Sequence, residues 1–173
     1  MKKFIIVLLS LTLIMLIAGC TKKTNIVEDT RFEVYISSID DLVNGEYVME
    51  ELPLFTNSDL MSVNWEKQEY LFTKEFLKKL PASDTQKKTY IGGSILLGTK
   101  ARDKFSVYVD GQFIYEGEFE QSVFSSYLPT GAILKDIENG VSIIFTDIKN
   151  SDLIDMRFDN SIKKALTELG LIN

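Results

Sequence analysis

Apolar and polar residues alternate with a period of two over much of this chain. In Phe32-Glu33-Val34-Tyr35-Ile36 every second side chain is apolar, which sends that set to one face of a strand. The pattern predicts a first strand over 32–36, closed by Ser37-Ser38. Phe105-Ser106-Val107-Tyr108-Val109 alternates in the same way. Asp110-Gly111 then supplies the residues a two-residue hairpin turn demands, and Phe113-Ile114-Tyr115 reads as the returning strand. A second hairpin is expected from Ala132–Ile137 through Asn139-Gly140 to Val141–Phe145. Tyr47-Val48-Met49 is expected as a short strand and Trp65 to Phe72 as one extended segment, with Pro53 stopping any helix nearby.

Two stretches carry helical spacing instead. Thr73 is placed to cap a helix in which Phe76, Leu77 and Leu80 share one face and Lys78 and Lys79 point outward, ended by Pro81. Asp159 or Asn160 is placed to cap a second helix over about 161–169. Its inward face would be Ile162, Ala165, Leu166 and Leu169, with Gly170 past its end. Asp40-Asp41 to Gly45 reads as a turn or short helical stretch, and Ser58 or Asp59 as the start of a turn. The segments 82–89 and 122–131 read as loops, and Gly92-Gly93 punctuates before the apolar run Ile95-Leu96-Leu97. No internal repeat interrupts this order. The expectation is a single α+β domain over 31–173, an antiparallel sheet of five to seven strands with one or two packed helices, one of them C-terminal.

The first twenty residues follow another pattern. Lys2 and Lys3 precede an apolar stretch from Phe4 to Ile17, and Ala18-Gly19 lead to Cys20, the only cysteine. About 14 residues is short of the roughly 20 that a membrane-crossing helix needs, so the stretch reads as the core of an export signal. Ile17-Ala18-Gly19-Cys20 resembles the lipobox of bacterial lipoproteins. The resemblance implies signal-peptide recognition at Ile17, Ala18 and Gly19, a diacylglyceryl group on the Cys20 thiol, and cleavage that makes Cys20 the first mature residue. Residues 1–19 would then be the signal peptide and 20–30 the lipidated N-terminus and a flexible tether. Two acyl chains on one residue suffice for stable membrane attachment.

Composition narrows the chemistry. Histidine is absent, so nucleophilic catalysis by serine–histidine or cysteine–histidine pairs has no base. Zinc sites built on imidazole or thiolate lose their ligands as well. With its one cysteine acylated, the domain would hold together without disulfides. Removing Lys2 and Lys3 takes the basic count from 19 to 17 against 25 acids, a side-chain charge of −8. That balance disfavours nucleic acid as a partner. No cofactor is implied, and a non-enzymatic role is expected.

Several clusters remain as candidate sites. Asp147, Asp152 and Asp155 could offer oxygen to calcium, but Lys149 stands where a loop ligand belongs, and a solvated turn is the simpler expectation. Glu116, Glu118 and Glu120 repeat at every second position of the outgoing hairpin strand. Paired carboxylates serve glycoside hydrolysis, yet acids in this pattern more often form the wet face of a sheet. Phe113, Tyr115 and Phe119 have the spacing of core residues. Phe124 and Tyr127, in the Ser-rich loop, are the two aromatics expected at a partner or ligand surface. Trp65, with Tyr70 and Phe72, is expected in the core.

The succession of Asp59, Trp65, Phe72-Thr73, Phe105 to Gly111, Ile114-Tyr115, Gly117, Phe119 and Ser125-Ser126 resembles a pattern in small uncharacterised bacterial lipoproteins. It covers about half of the mature chain and implies no catalytic residue. The order strand, helix, Asp-Gly hairpin is also similar to the external domain of the bacterial SecD translocase subunit, at the level of fold. The expectation is therefore a lipid-anchored extracytoplasmic module of the cell envelope that binds a ligand or an envelope protein. It would sit on the outer leaflet of a Gram-positive type cell, or on the periplasmic side where there are two membranes. A small solute-binding lipoprotein and a carboxylate-based wall-glycan hydrolase are the alternatives.

Overall fold

The alternating segments assemble into one sheet of eight strands in the computed structural model, which describes residues 30–41, 43–80, 92–100, 102–120, 129–147 and 152–172. The strands are β1 (Phe32–Ser37), β2 (Phe55–Thr56), β3 (Leu60–Asn64), β4 (Glu69–Phe72), β5 (Lys104–Val109), β6 (Gln112–Phe119), β7 (Gly131–Ile137) and β8 (Gly140–Thr146). Helices α1 (Lys74–Lys79) and α2 (Asn160–Glu168) complete the α+β domain. The sheet order is β2-β1-β5-β6-β7-β8-β4-β3. Every pairing is antiparallel except β6 with β7, which run parallel over Gly117–Phe119 and Ala132–Leu134.

The hydrogen-bonded sheet is open, but it curls until its ends meet. Phe32 of β1 stacks on Tyr70 of β4 at 5.7 Å, and Phe55 of β2 meets Phe72 of β4 edge-on at 5.1 Å. Both edges of the sheet, β2 and β3, are joined by the single turn Asn57–Asp59. That turn is held by Thr56 and Asp59, each bonding the other's end of it. Inside the curl, the inward residues of β1 (Phe32, Val34, Ile36), β5 (Phe105, Val107, Val109), β7 (Ala132, Leu134) and β8 (Val141, Ile143) form one core with Ile162, Ala165 and Leu166 of α2. At roughly 1.5–3 kcal/mol for each large apolar side chain buried, this shared interior is the main source of stability.

Both helices follow their caps. The Thr73 hydroxyl accepts from Phe76 N at 3.2 Å, and the helix stops at Leu80, whose extended backbone suits the proline that follows. The Asp159 carboxylate accepts from Ser161 N at 2.7 Å, and Gly170 takes the left-handed conformation past the end of α2. The chain then delivers Leu171 to the open edge, where its carbonyl accepts from Val63 N at 2.8 Å. An edge strand that would otherwise invite another chain is thereby partly covered.

Four expectations need correction, the first being strand number and direction: the sheet has eight strands rather than five to seven, and one pair is parallel. Trp65 to Phe72 is not one extended segment: the chain turns over Trp65–Gln68, so β3 and β4 form a hairpin. The reason is Gln68, whose backbone takes φ +53° while its side chain is fully buried. Tyr47-Val48-Met49 forms no strand, because only Met49 bridges to Ser37. Phe113 leaves the core phase of Tyr115 and Phe119. The β5–β6 register shifts between Val107 and Tyr108, inserting Ile114 and sending Phe113, 54 % exposed, to the outer face beside Tyr108.

Candidate binding site

The β6–β7 junction is where regular pairing fails. Strand β7 runs parallel to β6 and meets it only from Gly117 onward, so among the described residues the earlier part of β6 has no strand on that side. The segment that leads into α2, residues 152–156, passes here. Between them lies a pocket of about 230 Å³. Its walls are Tyr115, Gly117, Ala132, Phe145, Leu153, Ile154 and Met156; Lys104, Glu116, Glu118, Thr130 and Gly131 complete the lining. Leu153 and Ile154 are 48 % and 78 % exposed at its mouth.

Gly117 makes the junction possible. A Cβ there would fall 2.4 Å from the Ala132 carbonyl oxygen and 2.5 Å from Phe105 Cζ, so only glycine allows β7 and the Phe105 ring to approach together. Glu116 and Glu118 stand on the outer face, as their spacing implied. Glu116 is exposed and pairs with Lys104 at 3.4 Å, while the Lys104 ammonium also lies 5.1 Å from the centre of the Tyr47 ring. Glu120 is exposed, and its backbone continues the junction through Glu120 N to Leu134 O at 2.8 Å.

Behind the pocket is a polar group that periodicity did not reveal. Arg157 holds Asp155 with two bonds, Nε to Oδ1 at 2.8 Å and a terminal nitrogen to Oδ2 at 2.6 Å. It donates to the Ile143 carbonyl at 2.7 Å and lies between the rings of Phe145 and Phe158, at 5.7 and 5.2 Å. The Arg157 hydrogen bonds hold the Asp155 carboxyl below the usual carboxylate range, against a smaller opposing effect of burial. The buried Gln68 accepts from Tyr70 Oη at 3.0 Å and donates to the Trp65 carbonyl at 2.8 Å. Burial pushes the Tyr70 and Tyr115 phenols upward. The two hydroxyls differ in one respect: the buried Tyr115 hydroxyl has no hydrogen-bond partner among the described residues.

The remaining sequence candidates fall in different places. Asp155 is committed to Arg157, Asp147 and Asp152 are exposed, and no group of three metal-binding side chains converges among the described residues. Trp65 is half-buried against the core and meets Phe158 edge-on at 5.6 Å. Tyr35, Tyr108 and Phe113 form an aromatic row on the outer face, with centroids 5.3 and 5.6 Å apart. Phe124 and Tyr127 lie outside the described residues, as do Ile17, Ala18, Gly19 and Cys20. No described helix is long and apolar enough to cross a membrane.

The opposite end of the strands holds the start of the domain. Arg31 N donates to the Asp110 carboxylate at 2.8 Å, Asp110 N returns a bond to the Arg31 carbonyl at 3.0 Å, and the Thr30 hydroxyl donates to Glu168 at 3.2 Å. A groove of about 420 Å³, lined by Thr30, Arg31, Glu33, Thr56, Asn57, Ser58 and Leu169, opens there. From Gln112 at this end to Glu118 at the pocket, β6 spans about 20 Å. Compared with family models, curated proteins and solved structures, the chain matches none.

Proposed function

We propose that this chain is a lipid-anchored extracytoplasmic binding module of the cell envelope, tethered through Cys20 and presenting the β6–β7 pocket away from the bilayer. The observation that carries this reading is the separation of the two ends. Thr30 and Arg31 are clamped at the Asp110 end of the sheet, while the pocket opens at the Lys104–Glu118 end. Nine residues lie between Cys20 and Thr30, at most about 35 Å of extended chain. Such a tether keeps the clamped end toward the membrane and leaves the pocket facing soluble or wall-borne ligands. The lipobox-like Ile17-Ala18-Gly19-Cys20 supports the anchor, and the apolar walls with a charged lining support binding.

The test uses the anchor itself. The protein should fractionate with membranes, and mass spectrometry should find a diacylglyceryl thioether on an N-terminal Cys20. Cys20→Ser should leave an uncleaved, unacylated chain. In the acylated protein a cysteine introduced at Gly111 or at Glu116 is the only free thiol. A fluorophore at position 111 should be quenched by a lipid-borne quencher more strongly than one at 116. A free Cys20 thiol in the mature protein, or the reverse order of quenching, would overturn the reading.

A further inference from the structure

We infer that Tyr35, Tyr108 and Phe113 make an interfacial contact with the bilayer, seating the Asp110 end of the domain at the level of the lipid headgroups; this rests on the reading of the chain as lipid-anchored and names what the outer face meets there. Place comes first. Tyr108 pairs with Glu33 of β1 and with Phe113 of β6, and both Tyr108 and Phe113 stand two residues from the Asp110-Gly111 turn. The same turn clamps the start of the domain, since Arg31 N donates to the Asp110 carboxylate at 2.8 Å. The chain toward Cys20 therefore continues from beside this row, and its length allows at most about 35 Å between the domain and the acylated residue.

Chemistry then selects the occupant. Regular alternation would place Phe113 in the core with Tyr115 and Phe119, but the shifted register turns it outward and leaves it 54 % exposed. A register shift that aims a large apolar ring into solvent is a device that packing alone does not require. Tyr108 and Tyr35 extend the patch over three strands through edge-to-face contacts at 5.6 and 5.3 Å. A tyrosine ring has an apolar body and a polar tip, so such rings settle where hydrocarbon meets water. Charge does not supply the attraction, because Arg31 stands against Glu33 and Asp110 and the whole chain is acidic. Three rings would hold a free protein only weakly. A domain kept on a short tether has an effective concentration at the surface in the millimolar range, so a weak contact is occupied. Further along β6 the outward residues become Glu116 and Glu118, which end the contact and leave the β6–β7 pocket in water.

The test uses the whole purified protein, from whichever cell fraction carries it, reconstituted with phosphatidylcholine vesicles. Phe113→Trp puts an indole into the row, and the wild type gives the background of Trp65, the only tryptophan. Bromine on the acyl chains near their glycerol ends should quench the added indole more strongly than bromine near the chain tips, and its emission should shift to the blue when lipid is present. Both responses should survive about 1 M salt, where surface charges are largely screened. Tyr35→Ser and Tyr108→Ser, each at a half-buried outward position, should lower the ratio of seated to free domain about fivefold in this background, and their melting temperatures separate a lost contact from lost folding. An added indole quenched no more than Trp65, a response abolished by salt, or one indifferent to both tyrosine changes in folded protein would each overturn the inference. So would a blue shift that needs no lipid and grows with protein concentration, which would assign the row to a second copy of the chain. Acylated protein with an unquenched indole would sink the contact alone; quenching in a protein with a free Cys20 thiol would sink the anchor alone.

Discussion

Replacing Gly117 with alanine tests the junction on which the pocket depends. The added Cβ would stand 2.4 Å from the Ala132 carbonyl oxygen and 2.5 and 2.6 Å from Phe105 Cζ and Cε1. Relief requires β7 to separate from β6 by about half an ångström or the Phe105 ring to leave its place, and Phe105 is fully buried. Overpacking of a core costs about 1–3 kcal/mol. One clashing atom belongs to a paired backbone, which cannot swing aside, so the upper end of that range applies. Restricting the unfolded chain returns about 0.4–1 kcal/mol, leaving a net loss of about 2 kcal/mol or more. That predicts a melting temperature lower by about 4–8 °C for a domain of this size. Urea unfolding should show a lower midpoint with an unchanged m-value. Phe105→Leu relieves two of the three contacts, so the double variant should be less damaged than the sum of the single ones, by about 0.5 kcal/mol or more. A Gly117→Ala loss under about 0.5 kcal/mol, or strict additivity with Phe105→Leu, would refute the account of the junction.

Further outcomes follow from the polar groups and the caps. Tyr115→Phe removes a hydroxyl without a described partner and should be neutral or stabilising by about 1 kcal/mol, whereas Tyr70→Phe strips the buried Gln68 of its donor and should cost about 1–3 kcal/mol; urea unfolding of both compares them. The Asp155 carboxyl is lowered from 3.8 by Arg157, so its contribution is present above that value and lost as pH falls below it. Melting temperature followed downward from pH 5 should fall in the wild type and flatten in Asp155→Asn. Tyr70 and Tyr115 are raised above 10.0 by burial, so the stability they confer is present below that value and lost as pH rises beyond it. Melting curves above pH 10 should therefore decline less in the double variant to phenylalanine. Asp159→Ala removes the carboxylate that accepts from Ser161 N and should cost about 1 kcal/mol, with amide exchange of α2 rising first.

What the chain made legible was whatever neighbours in sequence decide. The Asp110-Gly111 turn announced β5 and β6 because both residues must take positive φ, and they do, at +51° and +74°. The caps at Thr73 and Asp159 announced both helices because a short polar side chain reaches its own first turn. Contacts between distant segments left little trace. Asp103 gathers Ile39 N at 2.9 Å and Lys100 N at 2.6 Å, and Asp136 gathers the Ser94 hydroxyl and Leu96 N at 3.0 Å. In the sequence these aspartates are only polar interruptions near apolar runs. For Asp155 the pattern of acids predicts only a solvated turn, because its true partner Arg157, two residues away, carries no pattern of its own. Glu116 and Glu118 were correctly placed on a wet face, but their position beside a pocket depends on β7, which arrives from later in the chain and in parallel.

That parallel strand explains why the irregular features of the molecule collect in one place. A hairpin fixes its register through its own turn, and β5–β6 and β7–β8 both do so. Joining the two hairpins side by side requires β6 and β7 to pair across a connection rather than a turn, and here they do so over three residues only. The rest of β6 must then be closed by something other than a strand, and residues 152–156 supply it incompletely. Within this short stretch lie the register shift that displaces Phe113, the glycine that admits a carbonyl and a ring, and the tyrosine hydroxyl with no described partner. Each alone is a tolerable departure from regular packing. Together they are what the binding proposal rests on, since departures that cost free energy can persist where another role compensates them. The pocket lies within that stretch and not against the regular faces of β1, β7 or β8, and that coincidence gives the binding reading its physical basis.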